Sequence, residues 1–205
     1  MILHNKKLIF IHIPKTGGGT IHKVFGQKFR GVGNHYDNLY PDMCQDYFMF
    51  TFVRNPFERF LSGYMYWKDI RNLLGGISFL EYARDFQSIF KKACIEPRPC
   101  KTCGHVDIDS GTPKEIVHTW DMSYLNGHED KWKYVDFVGR YESFEKDLTR
   151  VMEIVGCEPP DEMPKEHRST LSENEKPYSW YYCDESKYLV EQMFRRDLDR
   201  FEYRF

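Results

Sequence analysis

The sequence predicts an α/β fold, a central and mainly parallel sheet with helices on both faces. Three observations predict it. Two near-continuous apolar runs of strand length, 7–13 and 47–53, have the composition of strands buried on both faces. Each run leads into a segment that opens like a helix and continues with helical periodicity. Further along, strand-like and helix-like patterns go on alternating, as in a layered α/β domain. A chain of 205 residues is expected to form one domain over 1–205.

Taken in order, the first strand covers Lys7–Ile13, and His12 within it reads as a hydrogen-bonded core histidine. Ile21, Val24, Phe25 and Phe29 then predict a helix from about Thr20 to Phe29. Residues 31–38 are loop by composition. The second strand, Tyr47–Val53, ends at Arg54. Asn55 reads as the next N-cap, Pro56 as N1 and Glu58 as the N3 member of a capping box. Phe57, Phe60, Leu61, Tyr64 and Met65 make one apolar stripe, with Arg59 and Ser62 on the opposite face. A helix is expected over 77–92, a Pro-, Cys- and Gly-rich loop over 93–114, and a turn at 126–130, while 115–125 stays ambiguous. Tyr134–Gly139 reads as a short strand. A helix after it ends at Gly156, and a surface excursion covers 158–177. Asp184–Leu198 predicts a last helix, and the aromatic tail 201–205 is expected to dock.

Net charge is −2, which does not favour nucleic acid or a membrane surface as partner. Aromatic residues make up 17% of the chain, pointing to a large core rather than disorder. No apolar run approaches the ~20 residues of a spanning helix, and the first residues lack the apolar core of a signal peptide. The expectation is a cytoplasmic protein, with a luminal domain separated from its anchor as the alternative. Six cysteines are compatible with free thiols or bridges. The sequence leaves the oligomeric state open.

The chemistry starts at Pro14-Lys-Thr-Gly-Gly-Gly-Thr20. Adjacent glycines let the backbone curl closely around a guest, and backbone N–H groups at such a turn favour an anion. Lys15 adds a full charge. In the Walker A loop of kinases and ATPases the lysine follows the glycines; here it precedes them. No acidic Mg²⁺ ligand stands out after a later strand, as a nucleoside triphosphate would need. Arg54 marks a second anion site, because open α/β sheets bind ligands at strand ends. An arginine fork with the Ser62 hydroxyl suits a second phosphate group.

These residues carry a family resemblance. Ile11-His-Ile-Pro-Lys-Thr-Gly-Gly-Gly-Thr20 resembles the 5′-phosphosulfate loop of sulfotransferases. Tyr47–Tyr64, with Arg54 and Ser62 eight residues apart, resembles their 3′-phosphate segment. Residues 134–148 and 197–205 resemble later segments of the carbohydrate-type branch, whose members are Golgi enzymes and soluble bacterial relatives; 93–125 matches least, which implies a variable insertion on the acceptor side. The resemblance implies a P-loop-like three-layer sandwich. It implies transfer of a sulfuryl group from 3′-phosphoadenosine 5′-phosphosulfate (PAPS) to an acceptor hydroxyl, with no metal required. A carbohydrate acceptor is the expectation; a small alcohol or amine, or a P-loop nucleotide kinase, is the alternative. Lys15 and the N–H groups of Thr16, Gly17, Gly18, Gly19 and Thr20 would hold the phosphosulfate, with Lys15 also catalytic. Arg54 and Ser62 would hold the 3′-phosphate. A Golgi location becomes the alternative to the cytoplasm.

In soluble relatives a histidine precedes the second phosphate strand, and His35 occupies that place, with Asp37 nearby to orient it. Histidine suits the role of general base. His118 is the runner-up, although the Pro-Gln that often follows a histidine in that region is absent. Arg168 and Ser169 fall where relatives carry a loop that closes over the nucleotide, but the expected asparagine is missing. Cys94, Cys100, Cys103 and His105 have one zinc-like pair spacing. Free thiols, a disulfide and zinc all remain open for them.

Overall fold

The computed structural model describes residues 2–25, 46–70, 72, 74–85, 122–123, 129–164 and 176–205. The chain divides into two compact units, Met1–Arg54 with Met122–His167 and Asn55–Asp121 with Arg168–Phe205.

The first unit holds an open mixed sheet of β1 (Ile2–Leu3), β2 (Leu8–Ile11), β3 (Phe48–Val53) and β4 (Phe137–Arg140), in that spatial order. β1 pairs antiparallel with β2; β2–β3 and β3–β4 are parallel. Leu8 lies opposite Phe48 and Phe10 opposite Phe50, so Leu8, Phe10, Phe50 and Phe52 share one face. Ile21 and Phe25 from α1 (Gly18–Val24), with Leu148, Val151 and Met152 from α4 (Phe144–Ile154), cover that face. Ile9, Ile11, Met49 and Val53 on the other face are buried as well. Double burial explains why both runs are apolar without alternation. The α/β architecture and the parallel pairing agree with the sequence.

The boundaries differ in instructive ways. β1 lies outside the predicted strands; it is two residues long, and the chain turns back through a short 3₁₀ helix at His4–Lys6 with Lys7 at φ 47°. α1 starts at Gly18 rather than near Thr20, so two of the three glycines lie in its first turn. Tyr134 ends a 3₁₀ helix, Glu129–Tyr134, and β4 begins only at Phe137. α4 ends as expected, with Gly156 at φ 62°.

The second unit is built on α2 (Pro56–Met65). The Asn55 side chain caps it, accepting from the Phe57 N–H at 3.0 Å, and Pro56 takes the first helical position. Arg59 and Ser62, on the face opposite the apolar stripe, are buried as well. A π-helical turn, Tyr66–Ile70, follows. Residues 79–85 form α3, opened by a reciprocal Ser78–Glu81 capping box that matches the Ser-x-x-Glu pattern of the sequence. The predicted last helix is two, α5 (Asp184–Met193) and α6 (Arg195–Phe201), broken at Phe194. The tail docks as expected. Phe205 meets Phe57 edge-on at 4.9 Å, and the Arg204 carbonyl accepts from the Asn55 amide at 2.9 Å.

Candidate anion site in the first unit

β2 ends at Ile11, and the chain turns through Ile13–Gly17 into α1. Two hydroxyls brace the turn. Thr16 Oγ1 donates to the Ile13 carbonyl at 2.7 Å, and Thr51 Oγ1 of β3 donates to the Ile11 carbonyl at 2.8 Å. Thr16 is fully buried, so its hydroxyl serves the turn. Lys15 sits at φ 67°, a left-handed conformation uncommon for a side-chain-bearing residue. Strain of that kind, held by surrounding bonds, is found at ligand-binding turns.

The glycines answer a packing demand that their sequence did not reveal. Gly17, the α1 N-cap, has φ 92°, and a Cβ there would collide with the Phe144 ring. A Cβ on Gly18 would collide with the His12 imidazole. His12 stacks on Phe10 with centroids 5.5 Å apart and meets His22 edge-on at 6.3 Å. Two rings therefore clamp consecutive glycines of the turn.

Arg54, directly after β3, is buried although charged. Its Nη1 donates to the Lys15 carbonyl at 3.2 Å, and its guanidinium lies over the Tyr141 ring, 4.0 Å from the centroid. Tyr141 belongs to a 3₁₀ turn, Tyr141–Ser143, between β4 and α4. Asp147 holds this turn, accepting from the Arg140 N–H at 2.8 Å and from Ser143 Oγ at 2.7 Å. Phe144 follows, 5.8 Å from Tyr141 and 4.9 Å from Phe52. Tyr141 and Phe144 are site-forming residues not singled out from sequence, although the segment containing them carries part of the resemblance.

Burial, with the nearby Arg54 charge acting in the same direction, lowers the Lys15 pKa to about 7. Two cations held this close at a turn, one of them desolvated, make a site that gains by taking up negative charge. Of the residues expected to act, Lys15, Thr16, Gly17, Gly18, Gly19, Thr20 and Arg54 are brought together in this unit. Ser62 is buried on α2 in the second unit. His35, Asp37, His118, Arg168, Ser169, Cys94, Cys100, Cys103 and His105 lie outside the described residues. Among the described residues, no helix is long and apolar enough to cross a membrane.

Comparison with known proteins gives a family match: the model of a family described as the sulfotransferase family fits residues 1–204. No curated protein and no solved structure matches the chain.

Proposed function

The chain belongs to the sulfotransferase family and is a transferase of sulfuryl groups, and from that premise we propose that its donor is PAPS and its acceptor a hydroxyl, of a carbohydrate first and of a small alcohol or amine otherwise. The observation that carries the reading is the bond joining Arg54 to the Lys15 carbonyl. It supports a donor with two separate anionic groups, because it sets two cations at neighbouring strand ends.

PAPS, when bound, supplies the sulfuryl group that is transferred. Lys15 and the backbone N–H groups of Thr16–Thr20 hold the 5′-phosphosulfate. Lys15 further neutralises the charge that grows on the bridging oxygen as the S–O bond breaks. Arg54 holds the 3′-phosphate, and the sequence spacing assigns Ser62 to the same group. His35 takes the acceptor proton, and Arg168 and Ser169 contact the nucleotide.

Two measurements test this. 3′-Phosphoadenosine 5′-phosphate (PAP), but not ATP with Mg²⁺, raises the melting temperature. Labelled PAPS offered with sugars and small alcohols gives a sulfated product identified by mass. Stabilisation by ATP with Mg²⁺ alone would move the chain to the kinase reading. PAP binding with no sulfated product from any acceptor would leave a non-catalytic binder.

A further inference from the structure

Arg54 and the glycine turn share more than proximity. The Arg54 guanidinium is fixed at two points, the Lys15 carbonyl at 3.2 Å and the Tyr141 ring face at 4.0 Å. Tyr141 touches Phe144, with centroids 5.8 Å apart. The Phe144 ring in turn occupies the space that a Cβ on Gly17 would need. The chain of contacts runs Arg54, Tyr141, Phe144, Gly17 and returns through Lys15 to Arg54. Every member of this loop lies in the first unit.

We infer that Tyr141 and Phe144 are positioning residues that couple the two anion sites, so that filling the Arg54 site strengthens binding at the glycine turn and the reverse. This rests on the reading that both sites serve one PAP-type nucleotide. The physical argument has two parts. An anion that orders the guanidinium also orders the Lys15 carbonyl bonded to it, and hence the strained residue that opens the glycine turn. The ring pair transmits the same constraint from the far side: Tyr141 sets the plane of the guanidinium, and Phe144 sets the position of Gly17. An anion at Arg54 also offsets the positive charge that disfavours the Lys15 ammonium. Coupling of this sort is reciprocal by linkage.

The test is a ligand cycle with adenosine, 3′-AMP, 5′-AMP and PAP, measured by calorimetry on the parent protein and on Tyr141→Leu, Tyr141→Phe and Phe144→Leu. The coupling factor is the product of the PAP and adenosine association constants divided by the product of the two AMP constants. Repulsion between the phosphates is intrinsic to the ligand and cancels when variants are compared. The factor is expected to fall on the order of tenfold in Tyr141→Leu and Phe144→Leu. Tyr141→Phe, which keeps the ring under the guanidinium, is expected to retain it. A merely structural role would weaken all four ligands without changing the factor. An unchanged factor in both leucine variants overturns the coupling and leaves the donor reading standing. Failure of all four ligands to bind the parent protein overturns the donor reading and the coupling with it. If Phe144→Leu does not fold, the factor in Tyr141→Leu decides alone, since Tyr141 is partly exposed and its truncation leaves the core intact.

Discussion

Arg54 Nη1 donates a hydrogen bond to the backbone carbonyl of Lys15 at 3.2 Å. The bond joins the end of β3 to the turn after β2 and places a second cation beside the Lys15 ammonium. Only a planar fork can reach the carbonyl, stack on Tyr141 and keep donors for an anion. Arg54→Ala should therefore weaken PAP binding by about 10–100-fold, the worth of a hydrogen-bonded charge pair. Arg54→Lys should recover little of it, since an ammonium lacks the fork. Calorimetric titration with PAP decides, and wild-type affinity in Arg54→Ala would remove this residue from the site.

The depressed Lys15 ammonium predicts a pH dependence of binding with a definite sign. In the ligand-free protein its pKa is about 7, so its charge is lost as pH rises through that value. A bound anion favours the charged form and raises the pKa. Between the two values binding takes up a proton, and affinity falls by up to about tenfold per pH unit. Below about pH 7 this group contributes no slope. PAP dissociation constants across pH 6–10, in two buffers of different ionisation enthalpy, measure the proton taken up. A flat profile above pH 7 would contradict the placement of Lys15 against the anion, and Lys15→Met should abolish the slope.

Much of this site is legible in local sequence, and the illegible part is the part made by distant residues. Phe48–Val53 reads as a buried strand because every one of its residues but Thr51 is apolar, and in the structure Thr51 ties its hydroxyl to the Ile11 carbonyl of β2. Asn55-Pro56 marks a helix start because cap chemistry is local. The reason for Gly17 and Gly18 is not readable in the same way. Glycines there suggest a close guest, but the observed neighbours are rings from Phe144 and His12. Phe144 is more than a hundred residues away, and spacing carries no trace of it. Arg59 reads as the polar side of an amphipathic helix, yet it is buried on α2, as Asp197 is on α6. Periodicity assigns a charged residue to solvent by default. The break at Phe194 carries neither Gly nor Pro to announce it.

Lys15 should also be a stability cost in the ligand-free protein. Its folded pKa of about 7 lies below the unfolded value near ~10.4. The unfolded chain binds more protons between those values, so this group's contribution to stability is lowest at and below pH 7 and recovers as pH rises toward ~10.4. Lys15→Met removes the penalty. At pH 7 the melting temperature should rise by about 2–6 °C, allowing for partial exposure of the residue, while turnover is lost. Near pH 10.5 the two proteins should melt together. A variant less stable than the parent at pH 7 would show that the ammonium is compensated within the fold.

The ring clamp predicts that two neighbouring glycines fail for different reasons. Gly18 lies in the first turn of α1 with no backbone conformation that excludes alanine, so Gly18→Ala meets only the His12 imidazole. Gly17 meets the Phe144 ring and also holds φ 92°, which an alanine adopts only with strain. Both variants should lose about 1–3 kcal/mol, the usual range for overpacking, with Gly17→Ala the worse of the two. Partner substitutions then separate the causes. His12→Ala in the Gly18→Ala background should restore most of the loss, because removing the imidazole vacates the space. Phe144→Leu in the Gly17→Ala background should restore little, because the backbone strain survives the smaller side chain. Urea unfolding of seven proteins, the parent, two single glycine variants, two single ring variants and two doubles, gives the coupling energies directly. Additive losses in the His12–Gly18 pair would mean that the cost of the alanine does not come from the imidazole, and the clamp on the anion turn would then rest on Phe144 alone.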